Sequence, residues 1–195
     1  GARCLYFTRD FIQSEMRLDD PCELAFAYTR KMMGFLLFLP EPRSILMLGL
    51  GGGSLARYCH RHLPAARLTA VEIDPDVIAF REQFLLPADS ERFRVVRGDA
   101  AEFVARRDSR PEVVMVDAFD RDGVAPTLCT REFYQDVRAI LPRKGLVVAN
   151  LVPLVWGVLT SFKGEADLFR FPPTLLNFEP TLDNYRRVFA SGFGW

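Results

Sequence analysis

The chain has 195 residues, of which 49% are hydrophobic, and its 25 lysines and arginines balance 25 aspartates and glutamates. This length allows one domain with a substantial core, and the balanced charge argues against a nucleic-acid partner because there is no excess of cations to follow a phosphate backbone. The longest apolar stretch, residues 32–39, contains a glycine and ends at Pro40, so no transmembrane helix and no membrane partner are predicted. Four cysteines without a Cys-x-x-Cys pair predict reduced thiols, a cytoplasmic location and no metal site.

The first 40 residues are predicted to form a small N-terminal unit ahead of a main domain at 41–195. Residues 4–18 alternate between apolar and polar side chains, which predicts a strand or hairpin. Residues 22–38 carry apolar side chains at helical spacing, which predicts a helix.

The segment after Pro42 is the most informative part of the chain. An apolar run, residues 45–48, leads directly into glycines, and a helix is expected to begin at Ser54. Glycines can adopt positive φ and let the backbone approach a small molecule, and the positive end of the following helix would point to the same place. A nucleotide-type cofactor is therefore predicted at the glycine loop, residues 49–53, with candidate contacts at Gly49, Gly51, Gly52, Gly53 and Ser54.

Polar residues follow each of the next predicted strands. The strand at 68–74 carries Glu72 about 20 residues after the glycines, a distance typical of a carboxylate that binds ribose hydroxyls. NAD enzymes share this feature, but the dinucleotide fingerprint requires glycine or alanine where this chain has Ser54. Strands at 92–97 and 113–116 end in Gly-Asp-Ala (98–100) and Asp-Ala-Phe-Asp (117–120). Because ligands of open α/β sheets bind at the carboxyl ends of the strands, these residues predict one site.

Helix signals separate these strands. Asp74-Pro75 predicts an N-cap followed by a first turn, Thr130 is a second possible cap, and Pro142 to Gly145 ends that helix before a strand at 146–150. Strands that alternate with helices pair in parallel. The fold class predicted is therefore α/β, with a doubly wound, Rossmann-like, mostly parallel sheet and a small N-terminal β-hairpin.

The end of the chain does not follow this alternation. Residues 152–178 have no clear period and are predicted to be an irregular insertion. The chain ends at Trp195, where this fold would add a final antiparallel strand pair, so the C-terminal strands are expected to be missing or supplied by another chain. An open sheet edge favours association, and a homodimer is expected.

The ordered motifs resemble those of a known family. The likeness covers about residues 11–151 and rests on Gly-Leu-Gly-Gly-Gly-Ser (49–54), Val-Glu-Ile-Asp (71–74), Gly-Asp-Ala (98–100), Val-Asp-Ala-Phe-Asp (116–120) and Thr-Arg-Glu-Phe-Tyr (130–134). Together they are similar to the successive motifs of the spermidine synthase family, which has the S-adenosylmethionine-dependent methyltransferase fold. The resemblance implies a transferase of polyamine biosynthesis that moves an aminopropyl group from decarboxylated S-adenosylmethionine, or a related sulfonium donor, to an amine.

The resemblance also implies roles at the cofactor. Glu72 would hold the ribose, and Asp99, followed by Ala100, would bind the adenine amino group.

At the substrate, the resemblance makes Asp117 the base that deprotonates the attacking amine and makes Asp120 a ligand of the polyamine. Gln13 resembles the glutamine of the family's N-terminal hairpin, and Tyr28 resembles the tyrosine that opens its first helix. The chemistry is consistent, because a protonated amine cannot attack until a carboxylate takes its proton, while a second carboxylate can hold a distal ammonium. The sulfonium is already an activated leaving group, so no metal is needed.

Two residues depart from the family pattern. Typical members carry an aspartate directly after the glycines, where it binds the amine of the aminopropyl group, and this chain has Ser54. Arg30 stands where an acid is expected, and a guanidinium at the mouth of the glycine loop would pair with the α-carboxylate of intact S-adenosylmethionine. Two alternatives therefore stay open: a methyltransferase that uses intact S-adenosylmethionine, and a non-catalytic cofactor-binding relative.

Plainer interpretations compete with the individual assignments. The glycine loop could be a tight turn without a ligand, and Asp117 and Asp120 could be a helix cap and a solvated neighbour. His60 and His62 are two residues apart, so they do not share a helix face and are expected to be solvated rather than metal ligands.

Overall fold

A computed structural model describes residues 1–8, 11–120, 123–150, 161–163, 180–183 and 186–187. The chain divides into two units, Gly1–Asn150 and Leu151–Trp195. The predicted insertion at 152–178 lies outside the described residues except for 161–163.

The N-terminal hairpin is present as predicted. Strands β1 (Ala2–Thr8) and β2 (Phe11–Arg17) pair antiparallel, with register shifts between Leu5 and Tyr6 and between Tyr6 and Thr8. Burial alternates along β2, with Ser14 and Met16 buried, although Ser14 is polar and the apolar Ile12 on the same face is exposed.

The first helix begins later than predicted. Helix α1 spans Ala27–Met32 and continues as a 3₁₀ helix over Met33–Leu37, whereas the sequence pattern predicted a start at residue 22. Asp20 accounts for the difference, because its side chain accepts the Cys22 amide at 3.2 Å and its carbonyl accepts the Glu23 amide at 3.1 Å. These bonds form a turn, so the apolar residues before position 27 pack without being helical.

The rest of the first unit alternates between strands and helices. The strands are β3 (Ser44–Leu48), β4 (Arg67–Glu72), β5 (Phe93–Arg97), β6 (Val113–Val116), β7 (Phe119–Asp120), β8 (Gly123–Val124) and β9 (Leu146–Ala149). The helices are α2 (Ser54–His62), α3 (Pro75–Ala79), α4 (Ala100–Ala105), a 3₁₀ helix (Pro126–Cys129) and α5 (Arg131–Ile140).

The central sheet is parallel and has the order β5-β4-β3-β6-β9. The chain runs outward from β3 to β5 and then returns to β6 on the other side of β3. This reversal is the switch point at which open α/β sheets bind ligands. The predicted doubly wound, mostly parallel fold is confirmed.

The sheet separates two apolar clusters. Ile45 and Met47 of β3 pack in one cluster with α2, and Leu46 and Leu48 pack in the other with α5. Successive side chains of a strand point to opposite faces, so a run without charges is what a sheet covered on both sides requires.

Side-chain caps fix the helix starts. Asp74 accepts the Asp76 amide at 2.8 Å, and Thr130 accepts the Phe133 amide at 3.1 Å, as the sequence predicted. The short ribbon of β7 and β8 was not predicted. Within the described residues no helix combines the length and the apolar character that crossing a membrane requires. The expectation that the β9 edge lacks final strands concerns the end of the chain and stays a prediction.

Candidate active site

The carboxyl ends of four neighbouring strands meet at one edge of the sheet. Leu48, at the end of β3, pairs with Val71 of β4 and Val116 of β6. Val116 in turn pairs with Ala149 at the end of β9. The glycine loop, Glu72, Asp117 and Asn150 follow these strand ends, so they come together as predicted for the first three.

Steric contacts require glycine at several positions of the loop. Gly49, Gly51 and Gly53 have φ of +98°, +51° and +69°. A Cβ on Gly49 would collide with the backbone carbonyl of Asp117, and one on Gly52 would lie 2.6 Å from Ser14 Cβ. The loop is therefore packed against Asp117 on one side and the hairpin on the other.

Most backbone amides of the loop are already bonded within the protein. The acceptors are Val71 O for Gly49 (2.8 Å), Glu72 Oε2 for Leu50 (2.8 Å), Ser14 Oγ for Gly52 (2.9 Å) and Leu50 O for Gly53 (2.9 Å). Gly51 is the one loop residue whose amide has no acceptor in the described part of the chain. Phosphate binding uses several free amides at such a turn, so this loop favours a nucleoside without phosphates over a dinucleotide.

Glu72 lies at the end of β4, facing the loop. Its Oε2 accepts the Leu50 amide at 2.8 Å, and its Oε1 accepts the Asp74 amide at 3.0 Å. A carboxylate has about four lone-pair positions, so two remain for the hydroxyls of a ribose.

Asp99 caps helix α4. Its Oδ1 accepts the amides of Ala101 at 2.7 Å and Glu102 at 3.0 Å, and Ala100 is the first residue of the helix. The cap fixes the carboxylate at the end of β5, where its second oxygen can accept a bond from an amino group.

Asp117 is held by two neutral donors. Tyr28 donates its hydroxyl hydrogen to Oδ2 at 3.3 Å, and Asn150 donates from Nδ2 to Oδ1 at 3.0 Å. Burial raises the pKa of Asp117 above that of an ordinary aspartate, and the two hydrogen bonds oppose part of that rise. Burial, reinforced by the charge of Asp117, also raises the pKa of Tyr28.

Asn150 was missed as a site residue by the sequence analysis. The signal was available, because Asn150 is the last residue of the last predicted strand, and polar residues also lie at the ends of the earlier strands. Ser14 was missed as well, and no local pattern distinguishes it from other hairpin serines.

Gln13 lies against the glycine loop. A Cβ on Gly51 would be 3.4 Å from its Nε2. Its Oε1 is buried and meets no donor among the described residues. A buried acceptor without a partner costs free energy, so this oxygen fits a ligand that brings a donor to the loop.

The structure does not bring Arg30 to the loop. Its guanidinium donates to the carbonyls of Leu24 at 2.5 Å and Ala25 at 2.8 Å, and its side chain is exposed. Positions two apart on a helix differ by about 200°, so Arg30 cannot share the orientation of Tyr28 toward Asp117. Ser54 donates to the carbonyl of Glu15 at 3.4 Å, which ties the start of α2 to the hairpin.

Other predicted residues add little to the site. The backbone of Asp120 belongs to β7, but its side chain lies outside the described part of the structure. The rings of His60 and His62 contact Phe93 and Tyr58, with centroid distances of 6.1 and 4.5 Å. Within the described ranges, the protein contains no group of three His, Cys, Asp or Glu side chains placed to bind a metal ion.

Comparisons with known proteins show the family to which the chain is similar. The spermine/spermidine synthase domain matches residues 25–152. A polyamine aminopropyltransferase of Chromobacterium violaceum is 42% identical over 149 residues, which are 76% of this chain and 57% of that protein. An eEF1A lysine and N-terminal methyltransferase of Bos taurus is 35% identical over 127 residues, covering 60% of this chain and 18% of that protein.

A solved spermidine synthase, in complex with the transition-state analogue AdoDATO, is also similar. It superposes with a TM-score of 0.51 at 27% identity, over 60% of this chain and 42% of that one. The chain thus spans little more than half the length of the curated aminopropyltransferase. The family domain covers most of the first unit, including the glycine loop, Glu72, Asp99 and Asp117, and the chain belongs to the spermine/spermidine synthase family.

Proposed function

We propose that this protein transfers an aminopropyl group from decarboxylated S-adenosylmethionine to an amine or polyamine. The observation that carries the proposal is a half-buried carboxylate, Asp117, at the glycine loop: its backbone carbonyl packs against Gly49, and its side chain is bound by Tyr28 and Asn150. A base at this place lies beside the ligand that the loop receives.

The donor is proposed to bind along the strand ends. Glu72 would hold its ribose hydroxyls, and Asp99, with Ala100 beside it, would bind the adenine amino group. Gln13 Oε1 and the Gly51 amide are the polar groups next to the loop that have no described partner, and they would bind the remainder of the donor. The family membership supports these assignments, and the absence of several free amides fits a donor without phosphates.

Asp117 is proposed to act as the general base. The donor supplies a carbon activated by its sulfonium, so the protein needs to supply a neutral amine in line with that carbon. Asp117 would take one proton from the attacking ammonium, the nitrogen would form the new C–N bond, and the C–S bond would break to leave a neutral thioether. A raised pKa makes the carboxylate a stronger base, and Tyr28 and Asn150 keep it oriented. Asp120 is proposed to bind the distal ammonium of the acceptor.

The decarboxylated donor is proposed because the Arg30 guanidinium does not lie at the glycine loop. A cation at the loop would have favoured the α-carboxylate of intact S-adenosylmethionine, but the Arg30 guanidinium is bonded to carbonyls of the segment before α1. The similarity to an eEF1A lysine methyltransferase keeps methyl transfer from intact S-adenosylmethionine as the second candidate.

Product analysis tests the proposal. The protein is incubated with each donor and a panel of linear diamines and triamines. The proposal predicts methylthioadenosine and an aminopropylated amine from the decarboxylated donor. S-adenosylhomocysteine and a methylated amine from the intact donor would establish the methyltransferase instead, and donor binding without either product would establish a non-catalytic relative.

We also propose a cytoplasmic location and a homodimer. All four cysteines are free, which suits a reducing compartment. Within the described residues β9 pairs only with β6, so its outer edge can receive strands from a second copy. Light scattering of the purified protein tests the dimer.

A further inference from the structure

Arg57 lies in α2, directly after the glycine loop, and has no part in the proposed donor binding or proton transfer. Its side chain is only 3% exposed. Its described hydrogen-bond partners are three backbone carbonyls and one hydroxyl, and none is an acid. A buried charge without an opposite charge is costly unless every N–H finds an acceptor, so this arrangement needs a specific reason.

The guanidinium joins separate segments of the chain. Its Nε donates to Pro21 O at 2.8 Å, and its Nη1 donates to Phe84 O at 2.8 Å and also to Gly52 O. Its Nη2 donates to Ser54 Oγ at 3.4 Å. Burial lowers the pKa of Arg57 to about 10, so the group is still a cation at neutral pH and keeps all its donors.

The Gly52 peptide groups are therefore held from two sides. Ser14 of the hairpin accepts the Gly52 amide at 2.9 Å, and Arg57 binds the Gly52 carbonyl. Phe84 and Leu86 pack against the loop. A Cβ on Gly52 would lie 3.1 Å from the Phe84 ring, and a Cβ on Gly53 would lie 2.5 Å from the Leu86 side chain. These contacts hold the loop in the observed conformation, in which the Gly51 amide has no described acceptor.

We infer that Arg57 is a positioning residue for the donor, because it fixes the Gly52 carbonyl and thereby the surface of the loop that the adenosyl group meets. The inference rests on the proposed function, which puts that group at the loop. Only a planar guanidinium can reach carbonyls on three segments at once, whereas a lysine ammonium donates from a single atom.

The test compares Arg57→Lys with Arg61→Lys, a control at an exposed position of the same helix. Calorimetric titration with methylthioadenosine measures the affinity for the adenosyl group without requiring turnover. We expect Arg57→Lys to weaken binding by about tenfold, because the loop that receives the adenosyl group is no longer held in place through the Gly52 carbonyl. The KM for the donor should rise with it, while kcat at saturating donor and the KM for the amine change little. Arg61→Lys should behave as wild type.

Three results would overturn parts of the account separately. A folded Arg57→Lys variant with a lower melting temperature but unchanged affinity would give Arg57 a purely structural role. A wild-type protein that does not bind methylthioadenosine would refute the proposed function itself. If Arg57→Lys does not fold, Ser14→Ala removes the opposite contact of the loop; unchanged affinity in that variant would refute the positioning of the loop through Gly52.

Discussion

The glycine loop and the surroundings of Asp117 are adjacent, but their hydrogen bonding differs. In the loop, four of the five backbone amides are bonded to the protein itself, and a buried arginine binds one carbonyl. At Asp117, the described partners of the carboxylate are a phenol and an amide, and the pKa of Asp117 is raised by burial. The hydrogen bonds of the loop fix its conformation, whereas the environment of Asp117 favours the uptake of a proton.

This contrast assigns donor affinity to the loop and the rate of transfer to Asp117. A loop with few free donors binds by complementarity of shape and by the side chains beside it, so substitutions there should change dissociation constants. A half-buried carboxylate without a cationic partner in the described structure is available to a protonated amine, so substitutions there should change turnover.

Asp117→Asn should abolish most of the transfer rate and leave donor affinity nearly unchanged, because the amide keeps the shape but cannot accept the proton. General-base catalysis contributes about 10² to 10⁴ in rate. Steady-state turnover with a saturating amine measures the effect. Asp136→Asn, which removes an exposed ion pair with Arg107, is the control. A turnover within about threefold of wild type would remove Asp117 as the base.

Gly49→Ala should destabilise the fold strongly. The new Cβ meets the Asp117 carbonyl at a φ of +98°, so both steric overlap and backbone strain oppose it. We expect a loss of at least about 2 kcal/mol in the free energy of unfolding, measured with denaturant. Gly34→Ala is the control, since a Cβ there meets nothing within 4 Å. Equal stability of the two variants would mean that the loop is not packed as described.

Glu72→Ala should weaken the binding of methylthioadenosine about ten- to a hundredfold, because a carboxylate bonded to ribose hydroxyls contributes roughly 1.5 to 3 kcal/mol. Calorimetry measures the change. Glu112→Ala is a matched control: Glu112 Oε2 also accepts a backbone amide, that of Arg43 at 2.6 Å, but at the opposite edge of the sheet. If both variants bind like wild type, Glu72 does not belong to the site.

Tyr28→Phe should produce the smallest effect, a change in the pH profile. The Tyr28 hydroxyl stabilises the charged form of Asp117, so its removal raises the pKa of Asp117 further. A general base must be unprotonated, and the acidic limb of kcat/KM should therefore move to higher pH, while the rate well above the limb changes little. Tyr58→Phe on α2 is the control. A limb that moves to lower pH would contradict the hydrogen bond.

Local sequence patterns predicted more of the fold than of the candidate site. Uncharged strands such as β6, the glycine loop and the caps Asp74 and Thr130 were predictable because each depends on neighbours in sequence. The contacts of Tyr28 with Asp117 and of Arg57 with Phe84 join residues 89 and 27 positions apart, and no periodicity encodes them. Arg30 was placed wrongly at the loop because a motif position does not determine the direction of a helical side chain.

The most direct test of the central division measures two quantities on two variants. For Glu72→Ala and Asp117→Asn, the dissociation constant of methylthioadenosine and the turnover at saturating donor and amine are determined side by side. The account predicts a crossed result: Glu72→Ala raises the dissociation constant and keeps most of the turnover, whereas Asp117→Asn keeps the dissociation constant and loses turnover. If both variants lose affinity and turnover together, the loop and Asp117 act as one unit, and the separation of binding from proton transfer is wrong.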